Sequence, residues 1–173
     1  IDNVVNRIGS IVISTQHSPN IELETIKQII INAAKQATIP KSLITSDTKY
    51  LINPSGSFIV GGSFGDSGTT GRKIVCDTYG GYSRVGGGCL SSKDPSKVDR
   101  SAAYYCRYVA KNIVANGLAK KCEIGVSYAI GCVNPISIFI DTFGTSTLPE
   151  EQLEEIISKN FDFSVTNIIN ELD

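Results

Sequence analysis

The chain predicts an α+β protein, with mainly antiparallel sheets and helices packed on one face. Three observations lead there. Its 173 residues are 41% hydrophobic and 19% charged, an ordinary globular mixture long enough to bury a core as one domain or two small ones. Short β-branched runs are mixed with amphipathic helical stretches. Their order lacks the regular strand–helix–strand rhythm of a doubly wound sheet.

Residues 8–15 (IGSIVIST) have the β-branched richness of a strand. Asn20 is placed to cap a helix over 21–37, where Ile21, Leu23, Ile26, Ile29, Ile30 and Ala33 fall near helical spacing and Pro40 follows the end. Tyr50-Leu51-Ile52 and Phe58-Ile59-Val60 flank the turn sequence Asn53-Pro54-Ser55-Gly56, which predicts a hairpin. Residues 73–78 predict another short strand. Asp99 suits the cap of a helix over 100–116, with Ala102, Ala103, Cys106, Val109, Ala110, Ile113 and Val114 as its apolar stripe and Gly117 at its stop. Strands over 122–130 and 136–143 follow. Thr147 and Pro149 open an acidic amphipathic helix to about Lys159, and Ser164 caps a short last one.

The formal net charge of −1 offers no field that would draw the chain to nucleic acid or a membrane surface. No apolar run approaches the roughly 18 residues of a membrane span, and no signal peptide opens the sequence, so the cytoplasm is expected. Charge is nevertheless unevenly placed. Residues 60–111 carry eight of the 16 basic residues, most of them near glycine, and residues 141–173 hold eight acids against Lys159 alone. The five cysteines stand at least 10 positions apart with no CxxC pair, which disfavours a zinc site and suits small buried thiols in a reducing compartment. His17, the only histidine, is expected to be a hydrogen-bonded structural residue at a strand end. The chain begins at Ile1 and contains no methionine, so either a segment has been removed by processing or these residues are a piece of something longer.

Chemistry concentrates in two stretches, GDSGTTGRK at 65–73 and GGGCLSSKD at 86–94. Each couples glycines, whose backbone N–H groups can form an anion-holding concavity, to a lysine and a carboxylate. Lysine and arginine donate to phosphate oxygens, and aspartate offers a hard oxygen to magnesium. Neither stretch matches a Walker or dinucleotide-binding glycine motif. Phe58 stands where an aromatic could stack on a base or simply fill a core. Asp66 and Asp99 could hold a metal or a substrate amine. Lys93 and Lys97, four apart around Pro95, either converge on one anion or point to water.

Several longer motifs run in register through nearly the whole chain. They include Ser14-Thr15-Gln16-His17, Ile52-Asn53-Pro54, Gly65-Asp66 with Thr70-Gly71-Arg72-Lys73, and Asp77-Thr78-Tyr79-Gly80-Gly81. Gly86-Gly87-Gly88, Lys93-Asp94-Pro95-Ser96-Lys97-Val98-Asp99-Arg100-Ser101 and Ser127-Tyr128-Ala129-Ile130-Gly131 complete the set. Together they resemble the S-adenosylmethionine synthetases (methionine adenosyltransferases). The resemblance implies a reaction in which the sulfur of L-methionine attacks C5′ of ATP, and the departing triphosphate is then cleaved to pyrophosphate and phosphate. It implies that Arg72, Lys73 and Lys93 hold the triphosphate, that Asp99 binds magnesium and that Phe58 stacks on adenine. Asp66 would orient the substrates, while Lys97 and Ile130 would line the methionine side. Two Mg2+ ions and one K+, and a dimer or tetramer with active sites between subunits, belong to the same expectation.

The resemblance further implies three interwoven α+β domains, with residues 1–61 finishing one, 62–100 returning to a second and 101–173 beginning a third. It makes the chain a central-to-C-terminal portion that needs an N-terminal portion, possibly a separate one, for activity. Departures from the pattern raise an alternative, a degenerate non-catalytic subunit that stabilises or regulates an active synthetase. Ser57 replaces an arginine, Ser63 a proline and Val85 a histidine. Cys89-Leu90-Ser91-Ser92 replaces Ala-Phe-Ser-Gly, and Tyr105-Cys106 replaces Ala-Ala. Ser92 matters most, because a side chain restricts φ where glycine would not.

Overall fold

The computed structural model describes residues 5–37 and 39–173. The α+β expectation holds. The chain divides into two compact units, residues 1–68 and 69–173.

In the first unit, β1 (Ser10–Ile13) pairs in parallel with β2 (Lys49–Ile52), and α1 (Leu23–Gln36) connects them across one face. A 3-10 turn at Lys41–Leu43 returns the chain to β2. Ile26 and Ala34 of α1 and Ile52 of β2 are buried. The helix starts later than expected: Ser18 and Ile21 close a turn through Ile21 N–H to Ser18 O, so Asn20 lies in that turn and does not cap. The expected hairpin does not form. The parallel pairing joins β2 to β1, and Phe58-Ile59-Val60 has no strand structure, its backbone bonding instead to Gln16 and His17.

The second unit begins around short helical turns. A four-residue turn, α2 (Gly62–Gly65), closes the first unit, and α3 (Ile74–Asp77) stands where a strand was expected. With no strand among the described residues to pair with, residues 73–78 satisfy their backbone locally, Asp77 N–H donating to Lys73 O and the Thr78 hydroxyl to Ile74 O. The long helix α4 (Val98–Ala115) packs on β3 (Glu123–Ser127), which pairs antiparallel with β4 (Ser137–Asp141). Two more helices, α5 (Glu150–Asn160) and α6 (Val165–Leu172), close the unit.

Helical spacing builds its core. Tyr105, Val109 and Ile113 follow one another at four-residue steps along α4, and Leu153 and Ile157 do so along α5; all five are essentially inaccessible. Ala119, Phe163 and Ile168 complete the cluster, against which Ile124, Val126 and Ile140 pack from the sheet. Full burial of a side chain such as Ile157 contributes about 1.5–3 kcal/mol. The Tyr105 ring meets Phe163 edge-on at 5.1 Å, and its hydroxyl donates to Glu171 at 2.6 Å, tying α6 to α4. Gly117 ends α4 at φ +72°, with its own N–H bonded to Val114 O and that of Leu118 to Ile113 O. Ser164 caps α6 through the Asn167 N–H, as expected.

The cysteines are not the buried set that was expected. Cys76 and Cys132 are exposed, and Cys89, Cys106 and Cys122 are half-buried. Cys106 and Cys122 pack against the edge of the core, whereas Cys76 and Cys132 do not join it.

Candidate functional site

In the second unit the two glycine-rich stretches meet. Gly71, at φ +71°, lies so close to Cys89 that an added Cβ would stand 2.7 Å from the cysteine Cβ. Gly88 lies flat against Asp99, whose carboxyl carbon would be 2.1 Å from a Cβ built there. Only glycine fits that approach. Asp99 is therefore not the expected cap. The helix starts two residues earlier, at Val98 after Lys97, and the carboxylate turns outward to Lys93. An acid in the first turn still interacts favourably with the helix dipole.

Lys93 is the best-anchored cation in the cleft. Its Nζ donates to Asp99 Oδ2 at 2.8 Å and to the Cys89 carbonyl at 2.7 Å, and the side chain is only 23% exposed. The bond to Asp99 raises its pKa above the ordinary lysine value. The charge-dependent hold is thus fully present below the unfolded lysine pKa and is lost as pH rises through the higher folded one. Asp94 shows the opposite shift. The Ser96 hydroxyl and backbone N–H both donate to it and hold its pKa down at about 2, with Lys97 3.3 Å away. That loop turn keeps its charged acceptor until pH falls through about 2.

Lys93, Ser96, Lys97 and Asp99 line an open cleft of about 580 Å3 together with Tyr128, Ala129, Ile130 and Val133, and Ile130 is fully exposed. The volume suits a small polar ligand with an apolar part. A second concavity of about 420 Å3 is lined by Glu151, Glu154 and Glu155 beside Ile138 and Ile140. Its carboxylates would repel a polyanion, so charge selects the first cleft.

The remaining expected residues are not among those lining the cleft. Arg72 and Lys73 are exposed beside the first loop, and among the described residues neither forms an ion pair. Phe58 and Asp66 belong to the first unit. Phe58 is 38% exposed, so it is a partly open ring and not a core residue. Among the described residues no three His, Cys, Asp or Glu side chains gather as a metal site.

One contributor escaped the sequence reading. Arg84 donates to Glu123 from both its backbone and its guanidinium, and reaches Asp141 Oδ2 at 3.3 Å. Glu123 and Asp141 are direct partners across the β3–β4 ladder, a repulsive pairing that the arginine neutralises. This pins the chain just before Gly86. Its only signal was one cation preceding the glycines. His17 is the hydrogen-bonded structural residue that was expected, with both ring nitrogens bonded: Nε2 accepts from Phe58 N–H at 3.0 Å and Nδ1 pairs with Ser18 O at 2.9 Å.

The second unit is thus a mixed helix-and-sheet scaffold whose cleft is lined by Lys93, Lys97 and Asp99, with Gly88 packed against that carboxylate. Comparison with known proteins narrows this. Residues 60–173 match the description of the S-adenosylmethionine synthetase C-terminal domain, and residues 2–58 match that of the central domain. The chain belongs to the S-adenosylmethionine synthetase family. It is also similar to the solved structure of an unusual S-adenosylmethionine synthetase from Campylobacter jejuni, at 41% identity and a TM-score of 0.90. That match covers 95% of this chain and 43% of the other, so the chain spans less than half the length of that relative.

Proposed function

We propose that the chain forms part of the active site that makes S-adenosylmethionine from ATP and L-methionine, acting with the rest of a synthetase polypeptide. The observation that carries this is that Lys93, Lys97, Asp99 and Ile130 line one cleft. In the reaction a bond forms between the methionine sulfur and C5′ of ATP, the C5′–O bond breaks, and triphosphate leaves before water cleaves it to pyrophosphate and phosphate. The protein's task is to hold the reactants in line and stabilise the charge that develops on the leaving group.

Lys93 serves as the fixed cation for that charge, and exposed Arg72 and Lys73 add mobile ones. Lys97 and Ile130 give the methionine side one polar and one apolar contact. Phe58 stacks on the adenine and Asp66 orients the substrates. Asp99 fits magnesium as a single ligand: Lys93 occupies Oδ2, and no hydrogen bond among the described residues reaches Oδ1. Magnesium held between phosphates needs few protein ligands. When bound, it would neutralise triphosphate charge. Two Mg2+ and a K+, a dimer or tetramer with shared sites, the three interwoven segments 1–61, 62–100 and 101–173, and a cytoplasmic location complete the proposal. In support of the last, no helix among the described residues is long and apolar enough to cross a membrane.

One observation favours the second reading, a non-catalytic subunit. Ser92, inside the second loop, is held at φ +64°, a left-handed conformation that glycine adopts freely and serine does not. Assaying S-adenosylmethionine formation by the natural-length protein separates the two. We expect turnover, and a fall of about a hundredfold or more in kcat for Lys93→Ala. No product from folded protein with saturating ATP, methionine and magnesium would leave the regulatory reading standing.

A further inference from the structure

We infer that His17 is a positioning residue which holds Phe58 as an aromatic platform for the nucleobase. The inference rests on the stacking role proposed for Phe58 above. An exposed phenylalanine ordinarily has little to fix it, yet this one is clamped on both sides of its backbone. His17 N–H donates to Phe58 O at 2.9 Å, and Phe58 N–H donates to His17 Nε2 at 3.0 Å. The ring's other nitrogen lies 2.9 Å from Ser18 O. A carbonyl can only accept and an N–H can only donate, so these two bonds place the proton on Nδ1 and leave Nε2 as the acceptor.

The neighbours extend the clamp. Gln16 Nε2 donates to Ile59 O at 2.9 Å. A Cβ at Gly61 would lie 2.9 Å from the Phe58 ring and 2.7 Å from the Gln16 amide, so the ring edge occupies the space that a side chain would need. Gln16, His17 and Gly61 thus order the backbone and one edge of Phe58 while 38% of the residue stays open. A ring ordered in advance loses less freedom when a planar ligand stacks on it, and that saving is what His17 contributes. Histidine suits the task because one ring accepts from Phe58 and donates to Ser18 at once.

The test uses the natural-length protein with His17→Asn, His17→Gln, Phe58→Leu and the His17→Asn/Phe58→Leu double variant. A glutamine amide reaches the position of Nε2, whereas an asparagine amide reaches only that of Nδ1. Calorimetry gives the Kd of ATP and of inorganic tripolyphosphate, which has no base to stack. We expect His17→Asn to weaken ATP about threefold to tenfold, to leave tripolyphosphate unchanged, and to be rescued by His17→Gln. In the Phe58→Leu background His17→Asn should cost nothing more. Equal weakening of both ligands, or an undiminished loss in the Phe58→Leu background, overturns the positioning role. If Phe58→Leu binds ATP as tightly as the parent, the platform reading itself fails. If Phe58→Leu weakens ATP and His17→Asn does not, only the role of His17 fails. The 15N shifts of the His17 ring provide a check free of mutation: a proton on Nε2 in place of Nδ1 overturns the inference.

Discussion

The first unit buries Ile26, Ala34 and Ile52 alongside the polar Thr48 and Asn53, whereas the second gathers eight apolar side chains into one cluster. The first compensates with directed bonds. The Asn53 side chain, at a backbone φ of +43°, accepts from Thr15 N–H at 2.7 Å and donates to Thr15 O at 2.9 Å, and Thr48 donates to Ile8 O. The Asn53 bonds and the His17 clamp converge on the segment from Asn53 to Ile59. In the second unit, order comes from burial, and the glycine loops sit at its margin, held by charged contacts. The contrast teaches that the segments proposed to meet ligand are fixed by polar geometry in both units. Apolar burial supports them from behind in only one.

Truncation of the core separates the two kinds of order most strongly. Ile157→Ala should cost about 2–5 kcal/mol in a urea titration, and Asn53→Ala about 1–3 kcal/mol, since it strands two backbone groups. An Asn53 loss exceeding that of Ile157 would reverse the comparison. Thiol labelling probes the second unit next. Burial pushes the Cys106 thiol up to about 12 and the Cys122 thiol up to about 11, while Cys76 and Cys132 are exposed. With iodoacetamide at pH 8, Cys106 should react about a hundredfold more slowly than Cys132, read by peptide mass spectrometry. Comparable rates would mean that the packing around α4 opens readily. The smallest effect is local to the loop. Ser92→Gly should stabilise by about 0.5 kcal/mol, the relief of the left-handed strain less the added freedom of the unfolded glycine. A loss of stability on that change would show that the Ser92 side chain makes a contact worth more than its strain.

Much of this was legible because it depends on local rules. The stripe Val109–Ile113 on α4, the glycine stop at Gly117 and the serine cap at Ser164 all follow from spacing and from end chemistry within a few residues. Lys93, Lys97, Asp99 and Ile130 were named from motifs and lie around one cleft. Residues 73–78 form no strand because β-branched composition requires a partner strand, and none among the described residues pairs with them. Phe58-Ile59-Val60 was misjudged because a turn sequence says where the chain bends and not which strand takes the vacant edge.

By itself, then, the sequence determined the α+β class, the presence of the four longer helices, the glycine loops and the family to which they belong. Tertiary structure alone decided that Asp99 faces Lys93 and does not cap its helix, that Gly88 lies against that carboxylate, and that the lone histidine grips Phe58. The physical reason is range. Helix propensity and capping act over about four residues, whereas the bond from Phe58 to His17 spans 41 positions and is set only once the fold brings them together.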